Sequence, residues 1–459
     1  MTMTMKAFKA YDIRGEYPRD INVDLAYKLG LAFVAEYSAT NMVIGRDIRE
    51  SSPQLFERLV AGILDAGCDV ISLGICGTEE VYFNTVYHAA DGGIMITASH
   101  NPKNHNGFKL VGKNAEPISL ESGLLVLKER ILRQDYSIAA QKGKLTQWQD
   151  HMPYIETLLG FIPQSVREKT SLHQLKIVCN SGNGCAGETI DRLEPYLPFK
   201  LIKVHHEPDG SFPNGVPNPL IVERRADTKA AILEHQADFG VAWDGDFDRC
   251  FFFDESGEFI DSSYMIGLIS QELLKDHPEE SIVIDTRQTL NSEAVIAAAG
   301  GKVIVSAGGH SPMKRTMRAV KALYGGEMSA HHYFRAFHYC DSGMIPFLLV
   351  ASLLQTQTKS MGQLVLAARA AYPCSGELNY EVINPLLLMT DIAQFYQTQA
   401  LEMDEMDGLS IRFKDARINI RRSNTENYLR VNIEAKQDIG IVERLQRELE
   451  GMIKSYLLV

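Results

Sequence analysis

The sequence predicts an α/β protein in which three related mixed α/β domains are followed by a smaller C-terminal α+β domain. Three observations lead there. An apolar strand, a polar or Gly-rich turn, an amphipathic helix and a second strand recur three times. The recurrences stand roughly 110 to 130 residues apart, a domain-sized interval. Past about residue 370 the pattern changes to short alternating strands and one long helix. A chain of 459 residues suits about three domains by length, and more if some are small.

The first unit begins at Met42-Val-Ile-Gly-Arg-Asp47 and continues into a helix opening near Ser52-Pro53. Proline suits a first helical turn, and Ser51 or Ser52 is the expected cap. Ala66-Gly-Cys-Asp-Val-Ile71 returns the chain to extended structure. The second unit runs from Leu175-Lys-Ile-Val-Cys179 through the turn Asn180-Ser-Gly-Asn-Gly-Cys185 and a helix reaching Leu193, then a strand over Phe199 to Val204. The third pairs Ser281-Ile-Val-Ile-Asp285 with Ala299-Gly-Gly-Lys-Val-Ile-Val305, across a helix from about Asn291. Strand–helix–strand units with short connections imply parallel sheets. Leu409 to Phe413, Ala416 to Ile420 and Tyr428 to Glu434 alternate as strands, and a helix covers about Gly440 to Lys454. Gln, Gly, Ser and Pro punctuation places the domains at 1–150, 151–255, 256–370 and 371–459.

Composition narrows the function classes. Lys+Arg 46 against Asp+Glu 58 gives a net charge of -12, which argues against a general nucleic-acid binder with its basic face. A small anionic substrate is compatible if positive charge is gathered locally. Seven cysteines without a CxxC pair read as scattered core thiols of a reducing cytosol. No apolar run approaches the ~20 residues of a membrane span, so a soluble, cytoplasmic protein without a membrane partner is expected.

Four loops carry chemistry. In Gly92-Gly-Ile-Met-Ile-Thr-Ala-Ser99-His-Asn-Pro102 an apolar strand ends on a small hydroxyl residue beside His100, with Lys109 following. Serine is a poor nucleophile unless it is activated or already carries the transferable group. The Gly-x-Ser-x-Gly elbow is absent, and this loop alone leaves a strand-end turn and a nucleophile both open. In Trp243-Asp-Gly-Asp-Phe-Asp-Arg249, Asp244, Asp246 and Asp248 alternate between two apolar runs. Three such carboxylates repel one another unless they curl around a cation. An EF-hand is disfavoured because its required glycine is replaced by Arg249 and the flanks are strand-like; a hard divalent metal site at a strand end is favoured over a solvated acidic turn. In Gly326-Glu327-Met-Ser329-Ala-His331-His332, Glu and Ser after a glycine pair suit sugar hydroxyls, and core or supporting roles are favoured for the two histidines. In Arg421-Arg-Ser423-Asn424-Thr425-Glu426, cationic and polar donors between two strands suit a phosphate; a charged hairpin tip is the competing reading.

Taken together, these motifs resemble the α-D-phosphohexomutases, and among them the bacterial phosphomannomutase type. The resemblance runs from Lys9-Ala-Tyr11-Asp-Ile-Arg14-Gly15 through the Ser99, Asp244, Glu327 and Arg421 loops, nearly the whole chain. It implies four domains around a central cleft. It implies that Ser99 is a phosphoserine which, with Asp244, Asp246 and Asp248, binds Mg²⁺, and that Arg14, His100 and Lys109 work at the transferring group. Tyr11, Arg249, Arg287, His310, Glu327, Ser329, Arg421, Ser423, Asn424 and Thr425 would contact substrate. The implied reaction interconverts mannose 6-phosphate and mannose 1-phosphate through a hexose 1,6-bisphosphate, which also serves as activator. Glucose phosphates differ only at C2 and form a compatible second pair. The resemblance further implies hexose phosphates as ligands, a monomer or homodimer, and a place in GDP-mannose and polysaccharide biosynthesis.

The sequence departs from the family pattern in three places. Ala307-Gly308-Gly309-His310 lacks a basic residue, Asp285-Thr286-Arg287 replaces Asp-Pro-Arg, and the Arg421 loop does not end in proline. These bear on substrate affinity more than on the transfer chemistry. A sugar-phosphate phosphatase and a non-catalytic sugar-phosphate-binding relative are the alternatives.

Overall fold

The computed structural model of the chain describes residues 5–168, 174–422 and 428–457. It consists of two compact units. One holds the residues up to Phe259 together with His331–Thr358, and the other holds Ile260–Ala330 and the chain from Lys359 onward. The stretch 256–370 thus contributes to both units.

The first unit contains two sheets. Strands β1 (Ile13–Glu16), β2 (Asn41–Arg46), β3 (Asp69–Ile75), β4 (Gly92–Ile96), β5 (His105–Gly112) and β6 (Leu145–Gln147) stand in the order β1-β5-β4-β2-β3-β6. The run β4-β2-β3-β6 is parallel, while β5 is antiparallel to both β4 and β1. Met42, Val43 and Ile44 of β2 are all fully buried, as a parallel strand covered on both faces requires. Helices α1 (Val23–Tyr37), α2 (Ser52–Asp65) and α3 (Thr78–Tyr87) connect these strands. Ser51 holds the cap position of α2, with Pro53 in the first turn, but its side chain makes no cap bond. Its Oγ instead accepts from Asn106 Nδ2 at 2.8 Å. The second sheet orders β7 (Lys176–Asn180), β8 (Lys200–Val204), β9 (Phe239–Trp243) and β10 (Cys250–Phe253) as β10-β9-β7-β8, with β10 antiparallel.

In the other unit, Ser281–Asp285 lies parallel to Lys302–Ser306 on one side and to Tyr324–Gly326 on the other. A separate antiparallel sheet is built from Cys374–Glu381, Tyr428–Ala435, Ala416–Arg422, Leu409–Arg412 and Glu402–Asp404 in that order. Helices Pro385–Tyr396 and Ile439–Ile453 cover its apolar face, where Ile418, Val431, Leu388 and Leu445 are buried together.

The repeat seen in the sequence is a repeat of topology. In each case the first strand is central, the strand after the helix lies on one side, and a third strand lies on the other: β2 between β3 and β4, β7 between β8 and β9, Ser281–Asp285 between its two partners. That third strand ends, each time, in a loop with chemistry in it. Ser99 follows β4, Asp244 follows β9, and Glu327 follows Tyr324–Gly326. Loops at the carboxyl ends of parallel strands are where open α/β sheets bind ligands. Among the described residues, no helix is long and apolar enough to cross a membrane.

Candidate active site

In the first unit the Ser99 loop is fixed from behind by Arg49. The Arg49 side chain is buried, and its Nη2 donates to the carbonyls of Ser99 and Asn101, each at 2.7 Å. Its Nη1 donates to the carbonyls of Pro102 at 2.8 Å and His105 at 3.0 Å. Four backbone acceptors are thereby gathered on one planar guanidinium, a fork that an ammonium does not reproduce. Ser99 itself has φ +50, left-handed backbone that a non-glycine residue adopts at a cost of order 1–3 kcal/mol and that clusters at functional loops. Thr97 Oγ1 accepts the Ser99 N–H at 2.9 Å and steadies this turn.

The Ser99 hydroxyl donates to Asp244 Oδ2 at 2.5 Å, joining loops 145 positions apart. His100 Nδ1 lies 3.1 Å from the same Oγ. Burial, with Arg249, Arg14 and Lys109 nearby, pushes His100 well below its usual range. Arg14, on β1, donates to Asn101 Oδ1 at 2.8 Å and pairs with Asp12 at 2.5 Å. Tyr11 is half-buried just ahead of β1.

Lys109 reaches the acidic turn from β5, donating to Asp246 Oδ2 at 2.7 Å and to Asp248 Oδ2. Burial disfavours its charge, but Asp246 and Asp248 outweigh that and hold the ammonium above its usual range. Burial, reinforced by Asp248 and Asp246, pushes the Asp244 carboxyl up to about 7. Asp248 moves the other way: burial opposes its charge, but Lys109 and His331 pull it well below the carboxylate range. Arg249 Nε sits 3.5 Å from Asp244 Oδ2 and 3.2 Å from His331 Nε2. His331 Nε2 is in turn 3.6 Å from Asp248 Oδ1. The first of the paired histidines therefore supports this cluster through Arg249 and Asp248, one of the two kinds of role that the sequence favoured for the pair.

The acidic turn suits a hard divalent cation. Asp244, Asp246 and Asp248 each offer a ligand atom within 4.8 Å of the others. All three side chains are buried, and the Oδ1 atom of each has no hydrogen-bond partner. Three orphaned buried carboxylate oxygens are costly in a fold without a cation, and an all-oxygen donor set matches magnesium.

In the second unit Asp285, Arg287, Glu327 and Ser329 form one network. Arg287 donates to Asp285, to Glu327 Oε1 at 3.1 Å and to Ser329 Oγ at 3.3 Å. Met328 N–H donates to Asp285 Oδ2 at 2.8 Å, and Gly309 N–H to Glu327 Oε1 at 2.6 Å. Gly309 has φ +113, so the glycine just ahead of His310 is required by the backbone. Next to Ala307, which stands in the position of the missing basic residue, Gly308 N–H donates to Asp407 Oδ2 at 3.1 Å. His310 opens the helix His310–Val320. Arg421 donates to Glu377 Oε2 at 2.6 Å, with Arg430 3.6 Å from the other oxygen of Glu377. Burial and the nearby Arg287 hold Arg421 below its usual range, while Glu377 and Asp407 oppose that shift. Ser423, Asn424 and Thr425 lie outside the described residues.

Comparison with known proteins agrees with this chemistry. Residues 5–131, 152–257 and 261–372 match phosphoglucomutase/phosphomannomutase alpha/beta/alpha domains I, II and III, and residues 377–451 match the C-terminal domain. A phosphomannomutase of Salmonella typhimurium is 45% identical over 98% of this chain and 99% of its own length. The chain belongs to the phosphoglucomutase/phosphomannomutase family. Escherichia coli K12 has a phosphomannomutase 44% identical over 97% of this chain and 98% of that protein. Among solved structures, a phosphoglucomutase/phosphomannomutase family protein from Burkholderia thailandensis superposes with a TM-score of 0.86 at 27% identity, covering 98% of each chain.

Two functional candidates on this phosphoglucomutase/phosphomannomutase scaffold, Arg49 and Thr78, were missed by sequence reasoning. Arg49 lies in Arg46-Asp-Ile-Arg49, directly after β2, and a charged cluster at a strand end was its only signal. Thr78, at the start of α3, carries none. His331 was in view, but adjacency to His332 hid which of the two turns toward the acidic loop.

Proposed function

We propose that this chain is a phosphohexomutase interconverting mannose 6-phosphate and mannose 1-phosphate, and also glucose phosphates, with Ser99 as the phosphate carrier. The observation that carries this is the 2.5 Å contact between Ser99 Oγ and the buried acidic turn. A serine needs no such neighbour for a turn, whereas a phosphoserine, bearing about -1.5 to -2 charge, needs the cation that this turn is suited to hold. Asp244, Asp246, Asp248 and the Ser99 phosphate would hold Mg²⁺. Bound there, the ion neutralises the dianion and draws electron density from the phosphoryl group.

In the first half-reaction the P–O bond to Ser99 breaks and a P–O bond to the sugar hydroxyl forms. The hydroxyl proton leaves and Ser99 Oγ takes one up. The resulting hexose 1,6-bisphosphate returns its other phosphate to Ser99, so atoms and protons balance over the cycle. His100, whose Nδ1 lies 3.1 Å from Ser99 Oγ, handles the proton beside Ser99. Lys109, which donates to Asp246 and Asp248, balances charge at the acidic turn. Glu327 and Ser329 take sugar hydroxyls, while Arg287, Arg421 and the loop Ser423 to Thr425 take the non-reacting phosphate. Phosphoryl transfer depends chiefly on such positioning and neutralisation. On this reading the protein acts in the cytoplasm on free hexose phosphates.

The test is conversion of mannose 1-phosphate and glucose 1-phosphate by the whole protein with Mg²⁺ and glucose 1,6-bisphosphate. Turnover that is lost in Ser99→Ala, with one phosphate mapped to Ser99 by mass spectrometry, is expected. Release of free phosphate without isomerisation would make the protein a phosphatase. Phosphate on another residue would refute the carrier.

A further inference from the structure

Thr78 opens α3, and its side chain reaches the middle carboxylate of the acidic turn from 168 positions away. Its Oγ1 donates to Asp246 Oδ2 at 2.6 Å, and its main-chain N–H donates to Asp246 O at 3.1 Å. Thr78 is fully buried, as is Asp246. Asp246 Oδ2 also accepts from Lys109 at 2.7 Å, which leaves Oδ1 as the oxygen with no hydrogen-bond partner. Two donors on one oxygen of a carboxylate fix its rotamer and the direction of the other oxygen.

We infer that Thr78 is a positioning residue for the metal site: its hydroxyl holds Asp246 so that Oδ1 is presented for coordination. The inference rests on the reading of Asp244, Asp246 and Asp248 as the Mg²⁺ ligands. Groups that orient ligands in this way typically contribute 10–100-fold to metal affinity. The hydroxyl–carboxylate bond is charge-assisted and buried, where such bonds are strongest.

The rest of the first turn of α3 supports the same loop. Gly77 lies so close to Phe247, between two of the ligands, that a Cβ there would stand 2.2 Å from the ring. Glu79 accepts from the Gly343 N–H at 2.6 Å, and the Gly343 carbonyl accepts from Trp243 Nε1, the residue before Asp244, at 2.9 Å. Gly77 and Glu79 locate the backbone of the loop. Thr78 differs in reaching the side chain of a ligand residue.

The experiment compares the whole protein with Thr78→Val, which keeps the shape and removes the donor, and Thr78→Ser, which keeps the donor. Mn²⁺ binding is titrated by isothermal calorimetry or by the electron-spin-resonance signal of free Mn²⁺, in the absence of substrate. The expected result is a dissociation constant 10–100-fold higher in Thr78→Val and within about threefold of the parent in Thr78→Ser. A Thr78→Val constant within twofold of the parent overturns the inference. Equal weakening in Thr78→Ser also overturns it, because packing of the methyl group would then be responsible. If Thr78→Val is unfolded by circular dichroism, Thr78→Ala takes its place, and failure of both to fold assigns Thr78 to the fold alone and overturns the role. Absence of saturable Mn²⁺ binding in the parent, or binding unaffected by Asp246→Asn, defeats the reading of the metal site, a result distinct from any of these.

Discussion

Glu79 sets burial against hydrogen bonding, and its replacement by glutamine measures which wins. Its carboxyl is fully buried. Oε1 accepts from Tyr154 Oη at 2.6 Å and Ser342 Oγ at 2.8 Å, while Oε2 accepts from the N–H groups of Gly343 at 2.6 Å and Met344 at 3.3 Å. Burial pushes the carboxyl up from 4.5 to about 8 even though these four donors pull it back. A carboxyl raised in the folded state contributes stability that is fully present below its unfolded value and is lost as pH rises through the folded one. Each pH unit within that window removes about 1.4 kcal/mol, so about 2–3 kcal/mol disappears between pH 5 and pH 7. Glutamine mimics the neutral acid. Its carbonyl takes the two N–H groups, and its NH₂ donates to the Tyr154 and Ser342 hydroxyls, which are free to rotate. Glu79→Gln is therefore expected to gain about 2–3 kcal/mol on the parent between pH 5 and pH 7.

Urea unfolding at pH 5, 6 and 7 measures this gap, and titrations common to both proteins cancel. The chain has two tryptophans. A Trp148→Phe background leaves Trp243, bonded to Gly343, as the fluorescent reporter beside the carboxyl. A gap that does not change with pH refutes the reasoning. It would mean that the four donors keep Glu79 ionised, and glutamine would then be less stable at every pH.

Gly77→Ala drives a methyl group into Phe247 and is expected to cost about 1–3 kcal/mol by overpacking, read as a lower thermal midpoint. Arg49→Lys leaves most of the four loop carbonyls without their donor; steady-state kinetics should show kcat down about tenfold or more with KM within about threefold, since the contact orients the reacting serine. Lys109→Met strips two buried carboxylates of their ammonium, a change of about 3–5 kcal/mol. Without metal its melting temperature should fall, and added Mg²⁺ should raise it by more than it raises the parent's.

The repeat was legible because strands buried on both faces, such as Met42 to Ile44 and Ile282 to Ile284, read as short apolar runs at regular intervals. Ser99 and the three aspartates were legible because polar groups between such runs need a reason. What was hidden acts across space. Arg49, Thr78 and Glu79 work on loops that lie 50 to 265 positions further along the chain, and no local period encodes that pairing. The expected cap on α2 failed similarly, because Ser51 is taken by Asn106, a partner 55 positions away. The choice between His331 and His332 also needed the fold, since adjacent side chains diverge and only geometry says which one meets Asp248.

One pairing explains why Ser99 and the acidic turn belong together. Lys109 stands opposite Met95 in the antiparallel pair β4–β5, so the strand leading into the Ser99 loop and the strand leaving it form a single hairpin. That hairpin presents the serine at its bend and the ammonium on its returning arm. The serine reaches Asp244, while the ammonium reaches Asp246 and Asp248. All three carboxylates are thus engaged by one short segment through one oxygen each, and the three Oδ1 atoms are left over. Shifting the register of β5 by one residue would turn Lys109 to the opposite face of the sheet, removing the counter-charge while leaving Ser99 in place. The hairpin register therefore fixes the electrostatics of the site as firmly as any of its side chains.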